Sequence, residues 1–318
     1  MTNGFVIPLR QRRDLATIGY DSRRIRRALD TGHLTLLRRG VFARTTELAG
    51  LTVEDRAVLR ARAYAAIASV PPVFATRTAA ALHGLPVVTD DEKTHVLSSA
   101  DRPGSGYGVV RHRGSLGDDD VTEISGLRCT SLSRTIADLA RTDARERAVS
   151  ATDAALRHVA FRAPGSYDED AAERFRSEAL AHIGPTSVGR AKARWVITFA
   201  DGRAQLPGES ISRIRLHELG FAAPSLQVPV AAPRGRTYWI DFGLDDVEAW
   251  GEFDGRSKYR DVAAVGGRTA QEVVEDEKRR EDWIRGVTNR TLVRWGWGDI
   301  ANAAALGRRL SAFGVRPR

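Results

Sequence analysis

Four acidic residues in the last third of the sequence have the types and the order of a site that holds a divalent metal ion. Glu209 opens a predicted helix, and Asp241 and Glu252 lie inside two hydrophobic runs that predict strands. Asp254 follows shortly after Glu252. Acids are poor strand residues, and burying one without a partner costs several kcal/mol. The two strand acids therefore need a positive counter-charge, and a bound Mg²⁺ or Mn²⁺ ion is one that carboxylates hold well.

The chemistry that this set of carboxylates indicates is hydrolysis of a phosphodiester bond. That reaction needs an activated water, neutralisation of the developing charge and stabilisation of the leaving oxygen, and a metal ion can supply all three. Asp241 and Glu252 can reach one ion from neighbouring strands, and Glu209 can bind it or orient a water ligand. The alternative is an ion-pair network with positively charged side chains, because acids on adjacent strands repel each other when no positive charge lies near them. Its candidate arginines are Arg236, Arg256 and Arg294.

The predicted elements around these acids alternate between helix and strand. GESISRIRLHELGF predicts a helix, and SLQVPVAAPRG, RTYWIDFGL and DDVEAWGEFDG predict three strands. A long charged helix, QEVVEDEKRREDWIRGV, precedes the strand TLVRWGW and a closing helix that we expect Asp299 to cap. This order predicts an α/β sandwich with a mixed central sheet.

The first fifty residues predict a winged helix-turn-helix. A short helix over 12–18 is followed by a turn and by SRRIRRALDTG, a second helix that Asp21 or Ser22 can cap. LTLLRRGVFAR then predicts a hairpin with a basic tip. Arginines in these places are typical of contacts to DNA phosphates and base edges, whereas the alternative is a solvated face of a small packing domain. The DNA-binding candidates are Arg23, Arg24, Arg26, Arg27, Arg38 and Arg39.

Turn signals divide the rest of the chain. We predict a winged helix over 1–50, a helix-rich α/β companion over 51–165, a linker with short helices over 166–204, and the acid-bearing domain over 205–318. The chain as a whole is therefore expected to be α/β, or α+β overall. His83, His95, His112 and His158 have no metal-ligand spacing and are expected to be structural or exposed.

Two resemblances accompany these patterns. Over about residues 8–160, the chain contains RRxLxxxG with LRRGVFA, ATRTAAALHGLP and TSLSRTIADLAR. These motifs resemble the type IV abortive-infection (AbiEi-like) antitoxin family and its winged-helix relatives. Over about residues 205–310, the chain contains GES, WID, EFDGRSKY and EKRRED followed by TLVRWGW. These motifs resemble the PD-(D/E)XK nuclease superfamily and its Vsr-like branch. The first implies a DNA-binding repressor, and the second implies a restriction-endonuclease-like fold that cleaves DNA with Mg²⁺.

The sequence departs from the nuclease pattern at one position. The superfamily has a lysine two residues after the glutamate, and this chain has Asp254 there. Asp254 cannot stabilise an attacking hydroxide as an ammonium group would, although it can bind a metal or accept a proton. Lys258, four residues further on, and Lys278 on the charged helix are the candidate replacements.

Composition limits the class of protein and its partners. The chain has 318 residues, 42% apolar and 28% charged, as expected for an ordinary soluble protein of two or three domains. A net charge of +9 and a pI of about 10.2 favour a polyanionic partner such as double-stranded DNA. The single cysteine, Cys129, excludes an internal disulfide. With no predicted membrane span or secretory signal, we expect a cytoplasmic protein without a membrane partner.

Three functions are compatible with these patterns. The leading prediction is a Mg²⁺- or Mn²⁺-dependent DNA endonuclease, acting in phage defence or DNA repair. Asp254 favours the second, a winged-helix repressor or antitoxin-like regulator whose nuclease fold has lost turnover. A pure interaction scaffold explains the fold but not the acids. A homodimer and a toxin-like partner both stay open.

Overall fold

The fold is mixed α/β, which confirms the predicted class. A computed structural model describes residues 7–89, 91–98, 104–106, 108–255 and 270–318. The chain divides into two compact units. The first unit extends to Asp143 and includes 176–195, and the second comprises 144–175 and 196–318.

The first unit begins with the predicted helix-turn-helix and hairpin. Asp21 caps the second helix, because its side chain accepts the backbone N–H of Arg24 at 2.7 Å. Leu15, Ile25 and Phe42 form the small core that holds the helices on the hairpin. Strand order is β1–β3–β2, antiparallel throughout. The elements are β1 (Arg10–Gln11), α1 (Arg12–Thr17), α2 (Ser22–Asp30), β2 (Leu34–Arg38) and β3 (Val41–Arg44).

The rest of the first unit is a mixed sheet with helices. Phe74, Val96 and Cys129 form part of its buried core. The sheet order is β6–β7–β5–β4–β9–β8, with parallel pairs between β5 and β7 and between β4 and β9. The elements are α3 (Val53–Ala65), β4 (Val73–Phe74), α4 (Thr76–Leu82), β5 (Thr94–Ser98), β6 (Gly104–Gly106), β7 (Val109–Arg113), β8 (Val121–Ile124), β9 (Leu127–Thr130) and α5 (Leu132–Thr142).

The second unit contains the predicted helix–strand order around a mixed sheet. Neighbouring strands pair antiparallel from β12 through β14, and β14 pairs parallel with β15. Phe242 and Trp295 stack in its core with ring centroids 5.3 Å apart. The elements are α6 (Arg145–Ala160), β10 (Phe161–Ala163), β11 (Ser166–Tyr167), α7 (Glu169–Ala181), α8 (Arg190–Phe199), α9 (Pro207–Glu218), β12 (Ser225–Ala231), β13 (Thr237–Leu244), β14 (Ala249–Phe253), α10 (Ala270–Thr288), β15 (Thr291–Trp295) and α11 (Ala303–Ser311); the unit boundaries fall within α7 and α8.

The start of the last helix differs from the prediction. The expected cap Asp299 is wrong, because its side chain accepts the N–H of Gly296 and α11 starts after Asn302, whose side chain accepts the N–H of Ala305. In the part of the chain that the structure describes, no helix is both long enough and apolar enough to cross a membrane.

Candidate active site

Three of the four predicted acids line a cavity of the second unit, and Glu209 is not among its lining residues. The cavity has a volume of about 800 Å³ and is lined by Asp241 from β13 and by Glu252 and Asp254 at the end of β14. Arg280 from α10 and Arg294 from β15 line the same space. Three strands and one helix thus bring carboxylates and guanidinium groups together.

Glu209 is positioned by the start of α9. Pro207 is the first residue of this helix, where its missing N–H costs nothing. Gly208 allows a close approach to β14, because a Cβ there would lie 2.0 Å from Cε1 of Phe253. Glu209 is only 3% exposed, and its Oε2 accepts the backbone N–H of Gln205 at 2.8 Å.

Exchanging Gly208 for alanine is therefore expected to destabilise the second unit by about 1–3 kcal/mol, the usual cost of overpacking. The methyl group would push the first turn of α9 away from Phe253 and shift Glu209 with it. Urea denaturation followed by circular dichroism measures the loss. Gly286→Ala is the matched control, since nothing lies within 4 Å of a Cβ at that helical position, and alanine there should be neutral or stabilising. Equal stability of the two variants would contradict the close-packing argument.

Asp241 is linked to both of the other acids. Its Oδ2 accepts the backbone N–H of Phe253 at 2.9 Å, which holds the carboxylate beside the backbone of β14. The side-chain nitrogen of Gln227 lies 3.4 Å from Oδ1 of Asp241 and 3.4 Å from Oε2 of Glu209. The predicted set Glu209, Asp241 and Glu252 is therefore contiguous in space.

Glu252 is held between two arginines. Nη1 of Arg280 lies 2.6 Å from its Oε1, and Nη2 of Arg294 lies 3.1 Å from its Oε2. Oε1 is buried, and its short contact with Arg280 is an ion pair. Burial raises the pKa of Glu252 and the charge of Asp241 raises it further, while the two arginines oppose the rise.

The ion-pair alternative is thus present in part. Of the three predicted arginines only Arg294 meets Glu252; Arg236 is exposed, and Arg256 lies outside the described residues. Arg280 was not predicted, because it sits inside a charge run. The spacing along the helix could have singled it out. Arg280 lies four residues before Ile284, which is fully buried, so both side chains lie on one face of the helix.

One of the two lysines predicted to replace the missing catalytic lysine can be located in the structure. Lys258 falls in 256–269, outside the described residues. Lys278 is exposed and is not part of the cavity lining, whereas Arg280, two positions on, lines it. Asp254 is half-buried in the lining, and its backbone N–H donates to the carbonyl of Trp295 at 2.8 Å.

The donor set fits a cation bound by two carboxylates. Across the described ranges, no group of three or more His, Cys, Asp or Glu residues has the geometry of a metal site. Mg²⁺ is commonly held by one or two carboxylates, with waters and substrate phosphate oxygens as its other ligands. Asp241 and Glu252 provide such a pair, because both carboxylates line the cavity.

The predicted DNA-binding arginines lie in the first unit. Arg23, Arg24, Arg26 and Arg27 are all exposed on α2, on the faces that its buried residues leave open. Arg39 is exposed at the hairpin turn. In contrast, the predicted candidate Arg38 is half-buried and packs its guanidinium carbon 4.5 Å from the ring centre of Tyr64.

The scattered histidines include a pair that the sequence did not reveal. In the first unit, Nδ1 of His95 lies 2.9 Å from Nε2 of His112, and Nε2 of His95 lies 2.9 Å from Oδ2 of Asp91. Arg77 reaches Asp91 at 3.1 Å and bonds to both oxygens of Asp143. Burial lowers the pKa of both histidines. This cluster serves as a packed polar network, consistent with the structural role expected for His95.

Comparison with known families and structures adds no activity. No protein-family profile matches the chain. "Uncharacterized protein MT2308" of Mycobacterium tuberculosis CDC 1551 / Oshkosh and "Uncharacterized protein Rv2248" of strain H37Rv are each 31% identical over 182 residues, 56% of this chain. The match covers 60% of each, so the chain spans about three fifths of the length of these curated relatives. The crystal structure of the RV2827C protein from Mycobacterium tuberculosis covers 71% of this chain and 84% of its own, with 13% identity and a TM-score of 0.36.

Proposed function

We propose that this chain binds double-stranded DNA and hydrolyses its phosphodiester bonds at the acidic cavity with a bound Mg²⁺ or Mn²⁺ ion. One observation carries the proposal: Asp241 and Glu252, from two strands, line one cavity, and Gln227 links Asp241 to Glu209. Like charges collected in a concave site cost stability, and such sites are commonly functional.

Asp241 and Glu252 would hold the ion, with Glu209 orienting its water ligands. The bound ion would activate water and neutralise charge on the phosphate. The protein's own groups provide the surroundings: the N–H of Phe253 fixes the Asp241 carboxylate, and Arg280 and Arg294 place positive charge in the cavity where a phosphate would enter. The cation that Asp254 cannot supply would thus come from arginine.

Supercoiled plasmid DNA tests this proposal directly. The purified chain is incubated with plasmid in Mg²⁺, in Mn²⁺ and in EDTA, and the products are separated on agarose. We expect nicked or linear DNA with either metal and none with EDTA. Cleavage that persists in EDTA would exclude the metal-dependent site.

Support for the DNA-binding half comes from α2. Its four arginines are exposed while Ile25 and Ala28 are buried. The helix therefore presents a basic face to solvent while its apolar face stays packed in the small core. A basic helix after a tight turn is the arrangement that enters a major groove in helix-turn-helix proteins.

Replacing Arg23 and Arg27 with alanine should weaken binding to duplex DNA of any sequence and make it less sensitive to salt. Each lost phosphate contact lowers the slope of log affinity against log salt by about 0.9, so the pair should lower it by about 2. Fluorescence anisotropy over a salt series measures both. The control is Arg128→Ala with Arg174→Ala, two exposed arginines outside the helix-turn-helix. Equal slopes for the two double variants would remove α2 from the DNA interface.

A second candidate function has a specific observation in its favour. Both oxygens of Glu252 face guanidinium groups, which compete with a metal ion for the carboxylate. Such an arrangement suits a DNA-binding regulator that has lost turnover. A gel shift of duplex DNA without cleavage in any divalent metal would support the regulator.

A further inference from the structure

The cavity is lined by aromatic side chains as well as by acids. Phe161, Tyr167 and Trp239 are among its lining residues. The guanidinium of Arg157 lies 3.8 Å from the ring centre of Phe161, and that of Arg203 lies 4.3 Å from the ring centre of Tyr167. These two rings are therefore already covered.

Trp239 differs from the other two rings. Within the described residues, its indole has neither a ring or guanidinium stacking partner nor a hydrogen bond for its N–H. The side chain is half-buried and lines the cavity. A flat aromatic surface is thus presented to the cavity without an internal partner.

The surroundings hold this indole in place. Gly165, at the tip of the β10–β11 hairpin, has a φ of +77°, and a Cβ there would lie 2.9 Å from Cη2 of Trp239. The hairpin tip therefore abuts the edge of the ring and leaves little room for it to swing. Pro229 pairs with Trp239 across the antiparallel strands and lines the same cavity.

Positive charge connects the indole to the acids. Arg280 donates to the backbone carbonyl of Trp239 at 2.7 Å and lies 2.6 Å from Oε1 of Glu252. Trp239 and Asp241 are two residues apart on β13, roughly 6.6 Å along a strand. An aromatic side chain, a guanidinium and a carboxylate pair thus neighbour one another in the cavity.

We infer that Trp239 stacks on an unpaired nucleobase of the DNA, so that the substrate carries a flipped or single-stranded nucleotide beside the bond to be cleaved. This inference rests on the proposed function. A paired base cannot reach a pocket while it remains in the helix stack, whereas an unpaired base enters at low cost. A volume of about 800 Å³ lies within the range of pockets that enclose a small-molecule ligand.

Binding to two matched duplexes tests the inference in the full chain. One duplex is perfectly paired and the other carries a single unpaired 2-aminopurine, and both are titrated in Ca²⁺, which takes the same oxygen ligands as Mg²⁺. The wild-type chain should bind the unpaired duplex more tightly and quench its 2-aminopurine. Trp239→Ala should weaken that complex by roughly tenfold, the worth of one stacked base, and leave the paired duplex unaffected.

Two further variants separate stacking from folding. Trp239→Phe should keep most of the preference, because it keeps an aromatic face. Trp283→Ala should change nothing, since Trp283 is 40% exposed and is not part of the cavity lining. A wild-type complex that brightens the probe, or a Trp239→Ala variant with unaltered preference, would overturn the inference.

A parallel cleavage assay in Mg²⁺ keeps the two proposals apart. One outcome is that the preference for the unpaired duplex and the quenching both depend on Trp239, while neither duplex is cleaved. That outcome would refute hydrolysis and support the stacking site. Cleavage of both duplexes at equal rates by wild type and Trp239→Ala would refute the stacking site and leave hydrolysis standing.

Discussion

Asp241→Asn is expected to reduce Mg²⁺-dependent DNA cleavage by about a hundredfold or more. A metal ion contributes several kcal/mol of charge stabilisation in the transition state, and each 1.36 kcal/mol is tenfold in rate. Asparagine has the shape of aspartate and retains an oxygen for the N–H of Phe253, which donates at 2.9 Å. The fold should therefore be preserved while the anionic ligand is lost, and timed conversion of supercoiled plasmid measures the rate.

Asp245→Asn is the matched control for this variant. Asp245 lies just after β13, is exposed and pairs with Arg290 at 2.8 Å, and it is not part of the cavity lining. It should cleave at the wild-type rate, and both variants should bind duplex DNA as the wild type does, because binding is assigned to α2. Wild-type cleavage by Asp241→Asn would move the activity out of this cavity.

The elements that carry the acids could be predicted because each one buries a periodic apolar face. Ile214 and Leu216 are fully buried on α9, where the sequence predicts a helix. The long charged helix is predicted over 271–287 and is observed at Ala270–Thr288. Hydrophobic periodicity is a local signal, so it survives without knowledge of the tertiary structure.

The parts of the site that the sequence did not reveal depend on contacts between distant segments. Arg280 reaches Glu252 across 28 positions, and nothing in its charge run distinguishes it from its solvated neighbours except the spacing to Ile284. The hairpin beside Trp239 has strands of only three and two residues, too short for an alternating pattern. The start of α11 at Asn302 rather than Asp299 is an error of a few residues at an element end, where such prediction is weakest.

Asp153→Ala is expected to lower the free energy of unfolding of the second unit by about 3–5 kcal/mol, the cost of leaving one member of a buried ion pair alone. Asp153 is 1% exposed, and its Oδ2 lies 2.8 Å from Nη1 of Arg213 on α9. Its Oδ1 accepts the N–H of Asp201 at 2.8 Å, so the substitution also orphans a backbone donor. Urea denaturation monitored by circular dichroism measures the loss.

The double variant Asp153→Leu with Arg213→Met tests whether the ion pair stabilises the fold or instead fixes the orientation of α9. Replacing both charges by apolar side chains of similar volume removes the uncompensated guanidinium, so part of the lost stability should return, while the N–H of Asp201 stays without its acceptor. Arg213 lies four residues after Glu209 on α9 and also donates to the carbonyl of Phe199 at 2.5 Å, so the pair fixes the helix that presents Glu209. A stable double variant with impaired cleavage would show that the ion pair serves to orient α9. A loss below about 1 kcal/mol in Asp153→Ala would contradict the buried-pair argument, since that is the range of a solvent-exposed pair.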